Sequence, residues 1–204
     1  QENFMGEIKE GIGFIFSSTF LRKIILIWGL LLIGVGISGS LIIVLIKDYM
    51  HLPSNTYGWI STAEGIGILL GSYLLIRKKN NIGHINLIKN GLFLIGFALL
   101  VISFNNNLPL LLVLYLAIGM GAASAPVGIR SLIQVNVPDV ILGRVFLTVR
   151  FIVSTLRTLA IAIGSIFADF FDLRIIFFVA AIFILFASFI SRSIFKGKTK
   201  SLSF

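Results

Sequence analysis

Residues 24–46 read IILIWGLLLIGVGISGSLIIVLI, an unbroken run without a single charge. About 20 apolar residues suffice for an α-helix to cross the ~30 Å hydrocarbon layer of a bilayer. A core helix of a water-soluble domain would show a polar stripe, and this run has none. Working outward, the same pattern recurs. Gly58 to Ile76 is broken only by Glu64, and Ile85 to Phe104 carries Lys89 and Asn90 one turn inside its start. Leu108 to Ile129 follows directly after Asn105-Asn106-Asn107, which predicts a tight hairpin. Val145 to Ala168 contains Arg150 and Arg157, and Ile175 to Ile190 is dense in Phe and Ile. The reading is an all-α integral membrane protein with six transmembrane helices over residues 24–190, an amphipathic cytoplasmic linker at 1–23 and a basic cytoplasmic tail at 191–204.

Composition agrees. Of 204 residues, 57% are hydrophobic and 12% charged, more apolar surface than a soluble domain of this size can bury. Seventeen Lys and Arg against eight Asp and Glu give a net charge of +9. In a soluble protein that excess points to nucleic acid, but here it sits in short connectors beside the bilayer, so no nucleic-acid partner is expected. With no cysteine and two connector histidines, disulfides, thiolate metal sites and cysteine nucleophiles are excluded. Neither a metal nor any other cofactor is expected, and no cluster of carboxylates, histidines or nucleophiles at one depth points to an enzyme. The first 23 residues mix charges with apolar residues, which predicts no signal peptide.

Charge asymmetry orients the spans. One side collects Lys9, Arg22, Lys23, Arg77, Lys78, Lys79, Arg130, Arg144, Arg192, Lys196, Lys198 and Lys200, and the other only Lys47 and Arg174. Basic connectors stay in the cytoplasm, so both termini are expected there, in the inner (plasma) membrane of a bacterium. Trp28, Trp59, Tyr49 and Tyr57 read as interfacial anchors, and the Phe-rich sixth span as lipid-facing.

Spans one and four share a pattern, Ile33-Gly34-Val35-Gly36 and Ile118-Gly119-Met120-Gly121. Spans two and five align through Gly71-Ser72 and Gly164-Ser165, which places Glu64 and Arg157 at equivalent positions. A repeat of three spans enters its second copy from the opposite side of the membrane. The expected architecture is therefore two inverted three-helix repeats, as in many secondary transporters.

With these motifs in hand, the chain resembles the C-terminal six-helix half of a major facilitator superfamily permease, nearest to bacterial macrolide and multidrug efflux proteins. The likeness runs from Glu7-Ile8-Lys9-Glu10-Gly11 and Leu21-Arg22 through Gly58-Trp59-Ile60, Gly65-Ile66-Gly67 and Gly71-Ser72. Its best segment is the connector Gln134-Val135-Asn136-Val137-Pro138 with Gly143-Arg144-Val145. Arg77 and Lys78 belong to a second cytoplasmic motif, in which Leu75 stands where the superfamily often has Asp. The resemblance implies proton-coupled efflux of drug-like amphipathic molecules by alternating access, the proton gradient being the energy source. It also implies a twelve-helix whole, so an N-terminal six-helix half or a second copy is the expected partner, alongside lipid and a small-molecule substrate. The chain then reads as a fragment or a split permease; the alternative is a truncated, non-transporting bundle that only assembles with another membrane protein.

Several residues carry the functional expectations. Glu64 is the sole intramembrane acid and the proton-coupling candidate, since a carboxylate inside a span is costly and marks function by default. Arg150, Ser154 and Arg157, spaced i, i+4, i+7, line one stripe of span five and must face protein or water, because a mid-span Arg costs about 2.5–3.5 kcal/mol. Arg157 is the candidate partner of Glu64, while Arg150 is within reach of the inner headgroups. Gly34, Gly36, Gly67, Gly71, Gly119 and Gly121 allow close helix approach and sliding, and Pro126 bends span four.

Overall fold

The computed structural model describes residues 13, 17–77 and 83–195, with side chains to 191. Lys78, most of the expected 1–23 linker and most of the 191–204 tail lie outside the described residues. Six helices account for nearly everything described: α1 Thr19–Val44, α2 Thr56–Arg77, α3 His84–Ile102, α4 Leu108–Asn136, α5 Asp139–Ala168 and α6 Leu173–Phe195. All six have segments long and apolar enough to cross a membrane, and no strand occurs among the described residues.

Local chemistry sets the helix ends. The Ser18 side chain accepts a hydrogen bond from the Leu21 N–H at 3.4 Å, capping α1. At its far end α1 continues into a π-helical turn, Leu45–Tyr49, and the chain then reverses through His51 with φ 52°. Asn105 makes the α3–α4 hairpin: its Nδ2 donates to the Asn107 carbonyl and its Oδ1 accepts from the Asn107 N–H, both at 2.8 Å. Pro109 then occupies the first turn of α4, where its missing N–H costs nothing. Between α4 and α5 only Val137 and Pro138 are non-helical. Both helices thus run past their apolar segments, and Gln134 and Arg144 sit on solid helix instead of a loop.

Many hydroxyls inside the spans are satisfied within their own helices, as a dry surrounding demands. Ser38 donates to the Gly34 carbonyl at 2.9 Å, Thr148 to Arg144 at 2.8 Å and Thr158 to Ser154 at 3.1 Å. Between helices, Ser188 on α6 donates to the Lys89 carbonyl on α3 at 2.9 Å.

The helices pack in the order α2, α4, α3, α6, α1, α5, each chiefly against its neighbours in that series. Replacing each of α1, α2 and α3 by α4, α5 and α6, and the reverse, returns the same series read backwards. This is the packing of two three-helix repeats, and it holds at single residues. A Cβ built on Gly36 would meet Arg157 Cγ at 3.1 Å and Ile161 Cγ1 at 3.3 Å. In the other repeat a Cβ on Gly119 would fall against the Glu64 carbonyl oxygen and 2.9 Å from the Ile68 nitrogen. Likewise Gly164 faces Ile37, and Gly71 faces Met120. Gly36 thus corresponds to Gly119, Ile37 to Met120, Glu64 to Arg157, Ile68 to Ile161 and Gly71 to Gly164.

The structure corrects three expectations. The two Gly-x-Gly copies are two residues out of register: Gly34 lies against Ile184 of α6, whereas Gly119 lies against α2. The helix partner, not the motif, decides which glycines are equivalent. Trp28 is 9% exposed and belongs to the core, because α1 begins at Thr19 and carries it more than two turns inward. Phe177 is fully buried among the helices, although Phe178, Phe183, Phe186 and Phe189 are exposed.

Candidate functional site

Where α2 and α4 cross, glycines bring two backbones together. A Cβ on Gly67 would strike the Leu116 carbonyl oxygen, with the Leu116 carbonyl carbon at 2.9 Å; one on Gly71 would lie 2.9 Å from Met120 Cα. With Gly119 closing the same crossing from α4, side chains are squeezed out of the contact and project to either side of it. Glu64 is one of these, half-buried, its carbonyl oxygen against Gly119 and its carboxylate at the flank of the crossing.

Beside it stands Tyr115 of α4, buried, within electrostatic range of both Glu64 and Tyr57. Tyr57 and Glu64 are seven residues apart, two turns of α2, and so lie on one face. The sequence reading missed Tyr115. Its signal was there: between Asn107 and Ser124 it is the sole polar side chain of span four. A phenol placed beside an intramembrane carboxyl can donate a hydrogen bond to the ionised form or accept one from the protonated form.

At the equivalent crossing of α1 and α5, Arg157 covers Gly36 with its aliphatic stem and is exposed beyond it. Arg150 and Ser154 are exposed on the same helix, as are Thr155 and Thr158. Among the described residues no ion pair joins Glu64 to Arg157. α2 and α5 stand at opposite ends of the packing series, so the structure makes the two charges symmetry equivalents without bringing them together. Only 17% of the apolar window of α2, and 17% of that of α5, is buried, against 44–50% in the other four helices. The two helices that carry Glu64 and Arg157 are also the two left most uncovered.

The remaining glycines hold helices close. Gly34 lies against Ile184 and the Ala180 carbonyl of α6, and Gly121 against the Gly91 carbonyl and Ile95 of α3. Pro126 lies inside α4 and is partly buried. At the basic end Arg77, Gln134 and Gly143 are exposed, Pro138 precedes the first turn of α5, and Arg144 starts the turn whose carbonyl binds Thr148. At the other end a polar clamp ties three segments together. Arg174 Nη2 donates to Asn106 Oδ1 at 2.5 Å, its guanidinium lies 5.9 Å from the centre of the Tyr49 ring, and the Tyr49 hydroxyl accepts the Leu173 N–H at 3.2 Å.

No match is found among curated proteins or among solved structures. One family model, described as a transmembrane secretion effector, matches residues 1–201. Six apolar helices, paired as two repeats with Glu64 and Arg157 on the two least covered, accord with that match. The chain belongs to the transmembrane secretion effector family of major facilitator permeases, membrane proteins of the transporter class.

Proposed function

We propose that this chain is the C-terminal half of a secondary active transporter that expels drug-like amphipathic molecules, macrolide-like in character, by proton-coupled alternating access. The observation that carries the reading is the placement of Glu64 and Arg157 at equivalent positions on α2 and α5, the two helices with the least buried surface. A charge facing lipid at that depth costs several kcal/mol, so these faces belong against protein or a wet cavity. A second six-helix bundle, either an N-terminal half or another copy, supplies both. Substrate then sits between the bundles, with α1, α2, α4 and α5 lining the space.

Within that cavity Glu64 binds and releases the proton, with Tyr115 fixing its carboxyl group. Glycine contacts at the α2–α4 crossing allow the helix to shift against its neighbour as the carboxyl changes charge. No prosthetic group takes part, and the proton gradient is the energy source. The basic ends of the helices face the cytoplasm of a bacterial cell, which puts both termini there. The amphipathic substrate class rests on the likeness of the Gln134–Arg144 connector to efflux proteins.

The test is Glu64→Gln in the assembled transporter, assayed as dye or macrolide efflux under an imposed pH gradient. Efflux is expected to fall about tenfold or more, the loss of at least ~1.4 kcal/mol of coupling, with unchanged protein in the membrane. Unchanged gradient-driven efflux overturns the role of Glu64. Absence of efflux from both wild type and variant assigns the chain to a bundle that only assembles with another membrane protein.

A further inference from the structure

The register that matches Glu64 to Arg157 and Gly71 to Gly164 also matches Tyr57 to Arg150, Ser61 to Ser154 and Ser72 to Ser165. The two repeats therefore carry polar side chains on equivalent faces of α2 and α5. On α5 that face comprises Arg150, Ser154, Arg157, Thr158 and Ser165, all exposed. At 3.6 residues per turn they fall within about 100° of arc and extend ~22 Å along the helix, most of the ~30 Å hydrocarbon layer. A face this polar and this long lines water instead of lipid.

Its charge is of one sign. None of α1, α4 and α6, which pack against α5, contains an acid. Asp139 and Asp169, at the two ends of α5, are ~27 Å and ~18 Å from Arg157 by helical rise, and Glu64 lies on α2 at the far end of the packing series. Arg150 reaches the inner headgroups, whereas Arg157 is mid-span and no ion pair neutralises it among the described residues. Its stem is seated on α1, where a Cβ on Gly36 would meet Arg157 Cγ at 3.1 Å. One turn away, the Ser154 hydroxyl has no hydrogen-bond partner among the described residues. Those of Thr155, Thr158 and Ser165 are spent on carbonyls of their own helix, at 2.9, 3.1 and 3.0 Å. A guanidinium and a free hydroxyl three residues apart on one helix face offer donors to the oxygens of an anion. A fixed counter-ion on another helix would satisfy Arg157 alone; it leaves the Ser154 hydroxyl, and the polar face that continues to Ser165, without a use.

We propose that Arg157 and Ser154 form a subsite for the acidic group, a carboxylate or sulfonate, of an amphipathic organic anion. The inference rests on the transport reading for the pathway that the face lines, and adds organic anions to the substrates. The guanidinium takes two oxygens of the acid side by side, Ser154 supplies a further donor, and Gly36 is the positioning residue that leaves room for the arginine stem.

Binding of tritiated pyrenebutyrate and of its uncharged amide tests this, in the assembled transporter held in phosphatidylcholine nanodiscs so that no anionic headgroup competes. The wild type is expected to hold the acid about tenfold or more tighter than the amide, the scale of a charge-assisted hydrogen bond. Arg157→Gln is expected to weaken the acid about tenfold and the amide less than about twofold, and Ser154→Ala to weaken the acid alone by about threefold. Binding of the amide reports that each variant is folded. Equal affinity for acid and amide in the wild type overturns the proposal. So does a preference that survives Arg157→Gln, or an equal loss of both ligands, as expected of an arginine paired with an acid of the other bundle. If Arg157→Gln does not assemble, Ser154→Ala decides on the same comparison. Gradient-driven efflux is read separately: binding of the acid without efflux removes the transport reading and leaves the subsite, whereas efflux of neutral amphiphiles with no preference for the acid leaves transport and removes the subsite.

Discussion

Replacing Gly67 by Ala tests one of the two closest glycine contacts among the described residues. The added Cβ would strike the Leu116 carbonyl oxygen, with the Leu116 carbonyl carbon at 2.9 Å and its Cα at 3.0 Å. Carbon atoms in ordinary contact lie ~3.5–4.0 Å apart, so α4 must retreat by about 0.5–1 Å. The obstacle is backbone, which no rotamer change can move aside. Retreat also loosens Gly119 from the Glu64 carbonyl and Gly71 from Met120, since all three glycines share the crossing. Overpacking of this kind costs about 1–3 kcal/mol. Gly65→Ala is the internal control: it lies two residues away in the same helix, and its Cβ would meet nothing within 4 Å. Both variants gain the same ~1 kcal/mol of helix propensity, so their difference isolates the steric cost. For a chain of this size that separation is ~2–12 °C in Tm. Differential scanning fluorimetry in detergent reads it, with Gly39→Ala, also in open space, as a second control. Melting of Gly67→Ala within a degree of Gly65→Ala refutes the close approach of α2 to α4.

Three further outcomes follow from the site and the clamp. Arg157→Gln should lower gradient-driven efflux about tenfold or more while the protein reaches the membrane normally, whereas Arg150→Gln, near the basic end, should stay within about twofold; equal effects would remove the distinction between the two arginines. Tyr115→Phe should keep the fold and move the pH at which efflux is half-maximal, and a pH profile identical to wild type would separate Tyr115 from the work of Glu64. Arg174→Ala deletes both the bond to Asn106 and the contact with the Tyr49 ring. It should cost about 1 kcal/mol, read as a Tm lower by ~2–4 °C, and an unchanged Tm would show the clamp to be idle.

The six spans were legible because hydropathy depends only on composition within a window, and every span clears that threshold without help from its neighbours. Helix ends were less so. Asn136 and Asp139 end and begin helices that extend beyond the apolar segments, and turns such as Gln134 to Asn136 carry polar residues that a window discounts. Equivalence of Glu64 and Arg157 was readable from Gly71 and Gly164, which share a contact as well as a motif. The pairing of Gly34 with Gly119 was not, since a glycine's partner helix is decided by tertiary packing and neither residue states which way it faces. Trp28 failed for a related reason: its depth depends on where α1 begins, and Thr19 lies among the Lys and Arg residues that the apolar window leaves out. Tyr115 was visible as a lone polar residue, but its meaning required knowing that α4 is the neighbour of α2.

Ribosomes deliver these helices in the order α1 to α6, yet α2 docks mainly on α4, and α1 on α5 and α6. Of the pairs adjacent in sequence, only α3 and α4 pack extensively. Helices enter a bilayer first and associate afterwards, so α1 and α2 must wait in lipid while later spans are made. During that wait Glu64 has neither Gly119 nor Tyr115 beside it. Among these six helices the first major contacts come only with α4, which closes on α2 and α3 together, and α1 finds its partners once α5 and α6 have been synthesised. Assembly of this six-helix bundle is therefore a late, collective event, because before α4 is made α1, α2 and α3 have almost no contact with one another.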